Sequence, residues 1–302
     1  MINSNSGQLK PTPPFDFNHS LAFLGFFTPT KNEQSLAGQI LTKAVCVQGQ
    51  VVGFQVKSSG DVETPCLDYT LWSEQPLTAE IVHATLDRLS FFLSLDDDLR
   101  PFYALGRDDP AFAAIIERLY GYHQVKFLTP FEIACWAILT QRTPMALAHK
   151  MKGALTRQYG GVLTLNETAY WAFPEPDSLI EADVNDLAVL VHHTRRAEYL
   201  YAAAQAFADA DEAFLRTAPV AEVKAWLRQI KGIGEWSADF ILVRGLGRME
   251  CLPGSEKRLL ETASRIYGHG QPLSRMALEQ LAARYDPWPG YWSHYLRVGG
   301  DN

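Results

Sequence analysis

The chain has 302 residues, enough for about two domains at roughly 150 residues each. It is 47% hydrophobic, 12% aromatic and 20% charged, which excludes intrinsic disorder and collagen-like order and leaves a globular protein with a sizeable core. Its 27 Lys and Arg against 34 Asp and Glu give a net charge of −7, so it does not coat nucleic acid through bulk positive charge, although a local basic face is allowed.

Other classes fall away as quickly. No apolar run approaches the ~18 residues that cross a membrane. The first ten residues, MINSNSGQLK, lack the basic segment followed by an apolar one of a secretion signal. Cys46, Cys66, Cys135 and Cys251 are too sparse for a disulfide framework and too far apart for a metal cluster, so free thiols are expected. A soluble cytoplasmic protein with no membrane partner is the expectation.

In chain order, residues 1–14 are polar and Pro-rich and read as a flexible lead-in. From Phe15 to about Trp72 the pattern reads as strands. Gln39–Val47 and Val51–Lys57 are rich in β-branched residues and flank a short Gly-containing loop, and Cys66–Trp72 is a third candidate. Thr78–Phe92 reads as an amphipathic helix, with Ile81, Val82, Leu86 and Leu89 at helical spacing and Thr78 as N-cap. Residues 15–98 thus read as a small α+β domain built on an antiparallel sheet. The run Asp96-Asp97-Asp98 precedes a helix, where acidic side chains suit the helix dipole.

From about Leu99 helical periods dominate and strand signals vanish, so residues 99–302 read as an all-helical domain. The candidate helices are Ala111–Leu119, Pro130–Leu139, Met145–Gln158, Val184–Leu190, Arg195–Ala208, Ala221–Ile230, Trp236–Val243, Lys257–Ile266 and Ser274–Arg284. The pair His192-His193 has no third ligand nearby and reads as turn residues rather than a metal site.

The most informative stretch is LRQIKGIGEWSA, residues 227–238. A helix ending at Ile230 meets a Gly-Ile-Gly turn, and a second helix begins near Trp236. Two glycines one residue apart permit positive φ and close approach of a ligand to the backbone. The amides of Gly232, Ile233, Gly234 and the new first turn through Ser237 can point outward together and, with the helix dipole, bind an anion. A DNA phosphate is the obvious one, because this contact needs no side chain. Lys231, Arg244 and Arg248 are expected to add local positive charge. Apolar Leu227, Ile230 and Ile233 and small Ala238 suit close helix packing over residues 221–244.

The segment GIGEWSADFILVRGLGRMECLPGSEKRL, residues 232–259, resembles the core of the helix-hairpin-helix DNA glycosylases. The nearest branch is the bacterial 3-methyladenine DNA glycosylase II (AlkA-type). Residues 93–121, TPFEIACWAILTQRTPMALAHKM at 129–151, HHTRRAEYL at 192–200 and DPWPGYWSHYL at 286–296 are similar to other parts of that branch. The resemblance runs from Phe15 to the C-terminus, and the N-terminal unit is similar to the branch's extra domain. It implies a monofunctional DNA N-glycosylase of base excision repair. Such an enzyme flips a damaged, alkylated purine out of double-stranded DNA and hydrolyses its glycosidic bond. It would act as a monomer, gathered on the nucleoid through DNA and needing no cofactor.

The same resemblance assigns residues. Counting without gaps from Gly232, the family's catalytic Asp falls on Glu256; an alignment anchored on Leu252-Pro253 puts Ser255 there instead. Either departs from Asp. The carboxylate would stabilise a developing oxocarbenium ion and orient water. Glu is one methylene longer, and a shift of ~1 Å at the reacting centre can cost on the order of 10²-fold in rate. A Lys nucleophile of other members corresponds to Trp236, which argues against a Schiff-base lyase. Trp236 and Phe240, one turn apart, would line the base pocket, and a family pocket Trp corresponds to Arg297. Gln141 and Arg142 occupy the turn whose side chain enters the duplex. The carbonyls of Arg228, Ile230 and Ile233 would hold a monovalent cation that bridges to phosphate. Two other classes fit the same motifs: a weakly active or non-catalytic binder of damaged DNA, and a structural helical protein that binds no DNA.

Overall fold

The computed structural model describes residues 2–31, 33–253 and 257–300. Strands β1 (Asn3–Leu9), β2 (Ile40–Val47), β3 (Gln50–Ser58) and β4 (Leu67–Ser73) form an antiparallel sheet in the order β1-β4-β3-β2. The β2–β3 connection is two residues, Gln48 and Gly49, both at positive φ (52° and 75°), the turn whose twist matches that of the strands. The Glu175 carboxylate accepts both their amides, at 3.0 and 2.6 Å.

Two expectations for this region are corrected. Residues 3–9 are not a flexible lead-in: β1 pairs along its whole length with β4, Asn3 opposite Ser73 and Leu9 opposite Leu67. The strand reading from Phe15 fails at α1 (Phe17–Phe26), where the Asp16 carboxylate accepts the Asn18 amide at 2.9 Å as N-cap and Phe17, Ser20, Phe23 and Leu24 are buried at helical spacing. Helix α2 (Ala79–Leu93) follows, with the Thr78 hydroxyl accepting the Ile81 amide as expected.

The helices then run α3 (Arg100–Arg107), α4 (Pro110–Arg118), α5 (Pro130–Leu139), α6 (Met145–Tyr159), α7 (Pro176–Ile180), α8 (Val184–Leu190), α9 (Thr194–Ala208) and α10 (Glu212–Thr217). They close with α11 (Val220–Gln229), α12 (Glu235–Arg244), α13 (Lys257–Tyr267), α14 (Arg275–Ala283) and α15 (Pro289–Gly299). Strand signals do not vanish after Leu99: β5 (Gly161–Leu165) and β6 (Thr168–Ala172) form a hairpin turned by Asn166 and Glu167, both at positive φ. It packs against the N-terminal sheet so closely that a Cβ on Gly53 would lie 2.6 Å from Leu163 and one on Gly161 2.1 Å from Val51. Five residues per strand are too few to show a period beside long helices.

Helix α5 is buried along its whole length and sits at the centre of the helical part. Its one carboxylate, Glu132, accepts from Lys152 Nζ of α6 at 2.6 Å, and the same ammonium reaches Glu33 at 2.6 Å and the Pro29 carbonyl at 3.0 Å. Lys43 of β2 adds a second ammonium to Glu33 at 2.9 Å. Helices α5 and α6, strand β2 and the loop carrying Pro29 and Glu33 are thus tied through one buried charge cluster. Burial alone would raise the Glu33 carboxyl, but Lys152 and Lys43 outweigh it and hold it down, from 4.5 to about 2. A folded value below the unfolded one stabilises the protein fully above about pH 4.5, and that contribution is lost as pH falls toward 2. Denaturant titrations across that window should therefore show stability falling with pH, and the fall should be shallower in Glu33→Gln. An equal slope in the two proteins would contradict the assignment.

Candidate nucleic-acid interface and base cleft

Helices α11 and α12 meet at the Gly-Ile-Gly turn. Val223 and Leu227 of α11 and Ala238, Ile241 and Leu242 of α12 are buried between and beneath them, and Ile230 and Ile233 plug the corner. Gly232 has φ +94°, and a Cβ there would lie 2.4 Å from the ring of Tyr199 on α9. The turn therefore rests directly on that ring, which only glycine permits. Gln141, just past α5, donates its side-chain amide to the Gly232 carbonyl at 2.7 Å. Gly234 is the N-cap of α12 with extended backbone, no side-chain cap and open space around its Cα. Among the described residues the amides of Gly232 and Gly234 make no hydrogen bond, while that of Ile233 is spent on the Ile230 carbonyl at 3.0 Å. With the first-turn amides of α12, they leave an outward-facing donor set at the positive end of a helix.

The side chains around this corner are more paired than expected. Lys231 is exposed but bonded to Glu198 at 2.8 Å. Glu235, in the first turn of α12, is held by Lys224 at 2.5 Å and Arg228 at 3.3 Å. Arg248 does not add charge to the surface: it is buried and bonds Glu250 and the Leu215 and Ala218 carbonyls. Arg244 also turns inward. Ser237 is buried, so only its amide belongs to the outward set. Gln141 braces the hairpin from within, whereas Arg142 is exposed in a left-handed conformation (φ 50°) beyond the end of α5. Arg142, His193, Arg195 and Arg196 border a concavity of about 450 Å³ beside the hairpin. Arg195 stacks on Tyr199, the ring that seats Gly232. His192 and His193 are exposed turn residues, as expected. For a cation at the hairpin, the donors would be main-chain carbonyls, which suit a hard monovalent ion. The Ile230 carbonyl accepts one hydrogen bond and retains a lone pair.

On the flank of α12, residues four apart align: Trp236, Phe240 and Arg244. Trp236 and Phe240 stack nearly parallel, with ring centroids 5.3 Å apart and planes at 6°. Opposite them α15 presents Ser293, His294 and Arg297. Trp236, Phe240 and these α15 residues line a small pocket of about 50 Å³. Phe240, Arg244, His294 and Arg297 also border an adjoining cleft of about 320 Å³ toward α1, walled by Phe23, Phe26, Phe27, Trp136 and Met145. Arg244 lies over the Phe23 and Phe27 rings, at 5.0 and 5.4 Å, and donates to His294 Nδ1 at 2.9 Å. Since guanidinium only donates, Nδ1 accepts and the proton sits on Nε2, 3.1 Å from the Tyr122 hydroxyl. Burial, then Arg244 and Arg297, hold the His294 pKa well below its ordinary value, so the ring is neutral.

The structure thus brings Trp236, Phe240 and Arg297 to one small pocket and Gly232, Gly234 and Arg142 to one surface. Glu256 and Ser255 lie outside the described residues; on either side of them Pro253 lines the small pocket and Arg258 the adjoining cleft. The phenylalanines of α1 and the buried His294 were missed. The run LAFLGFF held the only hint, and it reads equally well as core.

The HhH-GPD superfamily base excision DNA repair protein family matches residues 135–287, half of the chain and the whole hairpin. The chain belongs to that superfamily. A Bacillus subtilis (strain 168) relative named DNA-3-methyladenine glycosylase is 25% identical over 289 residues, 93% of each chain. An Escherichia coli (strain K12) relative named DNA-3-methyladenine glycosylase 2 is 26% identical over 280 residues, 92% of each. The 3-methyladenine DNA glycosylase structure from Archaeoglobus fulgidus superposes with a TM-score of 0.79 at 19% identity, over 97% of this chain and 98% of that one. The α+β fold expected from sequence, an antiparallel sheet followed by a helical glycosylase fold, is therefore the one observed. This HhH-GPD member is a DNA repair glycosylase by family.

The two hairpin glycines should separate folding from binding. Gly232→Ala meets both the Tyr199 ring and a left-handed φ, and should cost about 1–3 kcal/mol of stability. Gly234→Ser has room and a capping hydroxyl, so stability should hold or rise by about 0.5 kcal/mol. That hydroxyl would take up amides a phosphate needs, so duplex affinity should fall. Unfolding curves and DNA titrations check both; unchanged affinity in Gly234→Ser would count against phosphate binding at the turn.

Proposed function

We propose that the protein is a monofunctional DNA N-glycosylase that flips a damaged purine from double-stranded DNA and hydrolyses its bond to the deoxyribose. The carrying observation is that one helix, α12, presents free amides at its N-terminus and an aromatic stripe along its flank. A phosphate held at the first places a flipped nucleotide beside the second.

In this reading the free amides of Gly232 and Gly234, on either side of Ile233, grip the strand. The Arg228, Ile230 and Ile233 carbonyls would hold a monovalent cation, which would supply positive charge toward the phosphate. Arg142, held out by its backbone, enters the duplex where the base was. The base stacks on Trp236 and Phe240 with Arg297 opposite. Glu256 offsets the positive charge that builds on the sugar as the C1′–N bond breaks. The base leaves with the bonding pair and gains a proton. Water adds to C1′ and gives up its proton to the carboxylate, leaving an abasic sugar. Trp236 offers no amine for a Schiff base, so the backbone is not cut. The protein acts as a monomer. The names of its relatives point to alkylated bases as the lesion class.

Single-turnover excision on lesion duplexes tests this. Glu256→Gln should lower the rate about 10²–10⁴-fold and leave duplex affinity within a factor of two or so, while Ser255→Ala should excise normally. The opposite pattern would move the role to Ser255. A wild-type protein that binds lesion duplexes and excises none would be a damage-binding protein instead.

A further inference from the structure

Resting on that glycosylase reading, we propose that the preferred substrates are purines whose alkyl group is larger than methyl, of benzyl size, and that this hydrocarbon lies in the cleft against α1. Volume decides where such a group can go. An apolar cavity of about 150 Å³ accepts a benzene ring. The pocket beside Trp236 and Phe240, at about 50 Å³, falls well short of that. It seats the edge of a base stacked at its opening, and a large substituent has no room there. The adjoining cleft, at about 320 Å³, has space for a phenyl ring.

The lining of the cleft fits that occupant. Phe240, Arg244, His294 and Arg297 are shared by the two spaces. Apart from Thr28 and Arg258, the other described residues that the cleft adds to those four are apolar, Phe27, Trp136 and Val298 among them. Polar recognition of the base therefore falls on the shared side, and hydrocarbon is met beyond it. Phe26 at the end of α1 and Met145 at the start of α6 also line the cleft and are 62% and 46% exposed. Single apolar side chains in water are ordinary, but here two border one opening that continues the base site. A phenyl group entering from the shared side would cover both and release the water on them. A methyl group adds one carbon and leaves most of this surface wet.

Calorimetric titration of the full chain with free 3-methyladenine, 3-benzyladenine, 7-methylguanine and 7-benzylguanine tests this without DNA. At least one benzyl base should bind about tenfold tighter than its methyl counterpart, the low end of what burying an aromatic ring supplies. Its heat-capacity change on binding should also be the more negative. In the double variant Phe26→Ala/Met145→Ala, with thermal melts confirming the fold, that ratio should shrink by about threefold or more. Benzyl bases that bind no tighter than their methyl counterparts, or an unchanged ratio in the folded double variant, would overturn the proposal. Excision from DNA treated with a methylating or a benzylating agent is read alongside, as acceleration over spontaneous loss of the same base. Greater acceleration for the benzylated purines supports the proposal, and release of methylated purines alone overturns it. If neither class is released, the glycosylase reading fails, while the calorimetric ratio still decides whether the cleft takes the hydrocarbon.

Discussion

The site depends on the seating of Gly232 on the Tyr199 ring. With no Cβ and φ +94°, the turn sits flat against α9, and Gln141 locks its carbonyl from the end of α5. Two elements distant in sequence, α9 and the end of α5, therefore fix the corner between α11 and α12. Once it is fixed, the direction of α12 is fixed, and with it both the amides at its start and the stripe along its flank. A side chain on Gly232 would tilt this assembly, whereas one on Gly234 would only cover its outer surface.

This arrangement explains how a chain of net charge −7 can take an anionic polymer as ligand. The positive charge at the hairpin is mostly the partial charge of amides, which no carboxylate neutralises by moving. The full charges nearby are largely engaged: Lys231 with Glu198, and Lys224 with Glu235 and Asp239. Arg142 and Arg195 sit at the edge of this paired region and border the concavity beside the hairpin. Arg244 serves the cleft instead, and its burial against Phe23 of α1 and His294 of α15 makes the N-terminal unit part of the site. The Lys152 cluster and the Glu175 clamp on the β2–β3 turn hold that unit in place.

The legible parts of this structure were those decided locally. The β2–β3 hairpin, the Thr78 cap, the α5 helix and the Gly-Ile-Gly corner each follow from a few neighbouring residues whose backbone preferences have one good solution. The stacking of Trp236 on Phe240 follows from helical spacing in the same way. The misread parts were decided by distant partners. The strand β1 has a polar sequence and gains its place from pairing with β4. The α1 segment is so rich in Phe and Leu that its apolar pattern fits a strand as well as a helix, and its cap is the only local sign. The short β5–β6 hairpin is held by the sheet it covers. Arg244 and Arg248 look like surface cations in sequence because nothing local reveals the rings and carbonyls that receive them.

The claim beneath the whole account is that main-chain amides of the corner hold the DNA strand. Amide hydrogen exchange of the full chain, measured alone and with a duplex carrying an abasic-site analogue, addresses it at the atoms concerned. The account predicts that the amides from Gly232 through Ser237 slow on binding, together with the Arg142 loop. Protection confined to other surfaces, with the corner exchanging at its free rate in the complex, would contradict it.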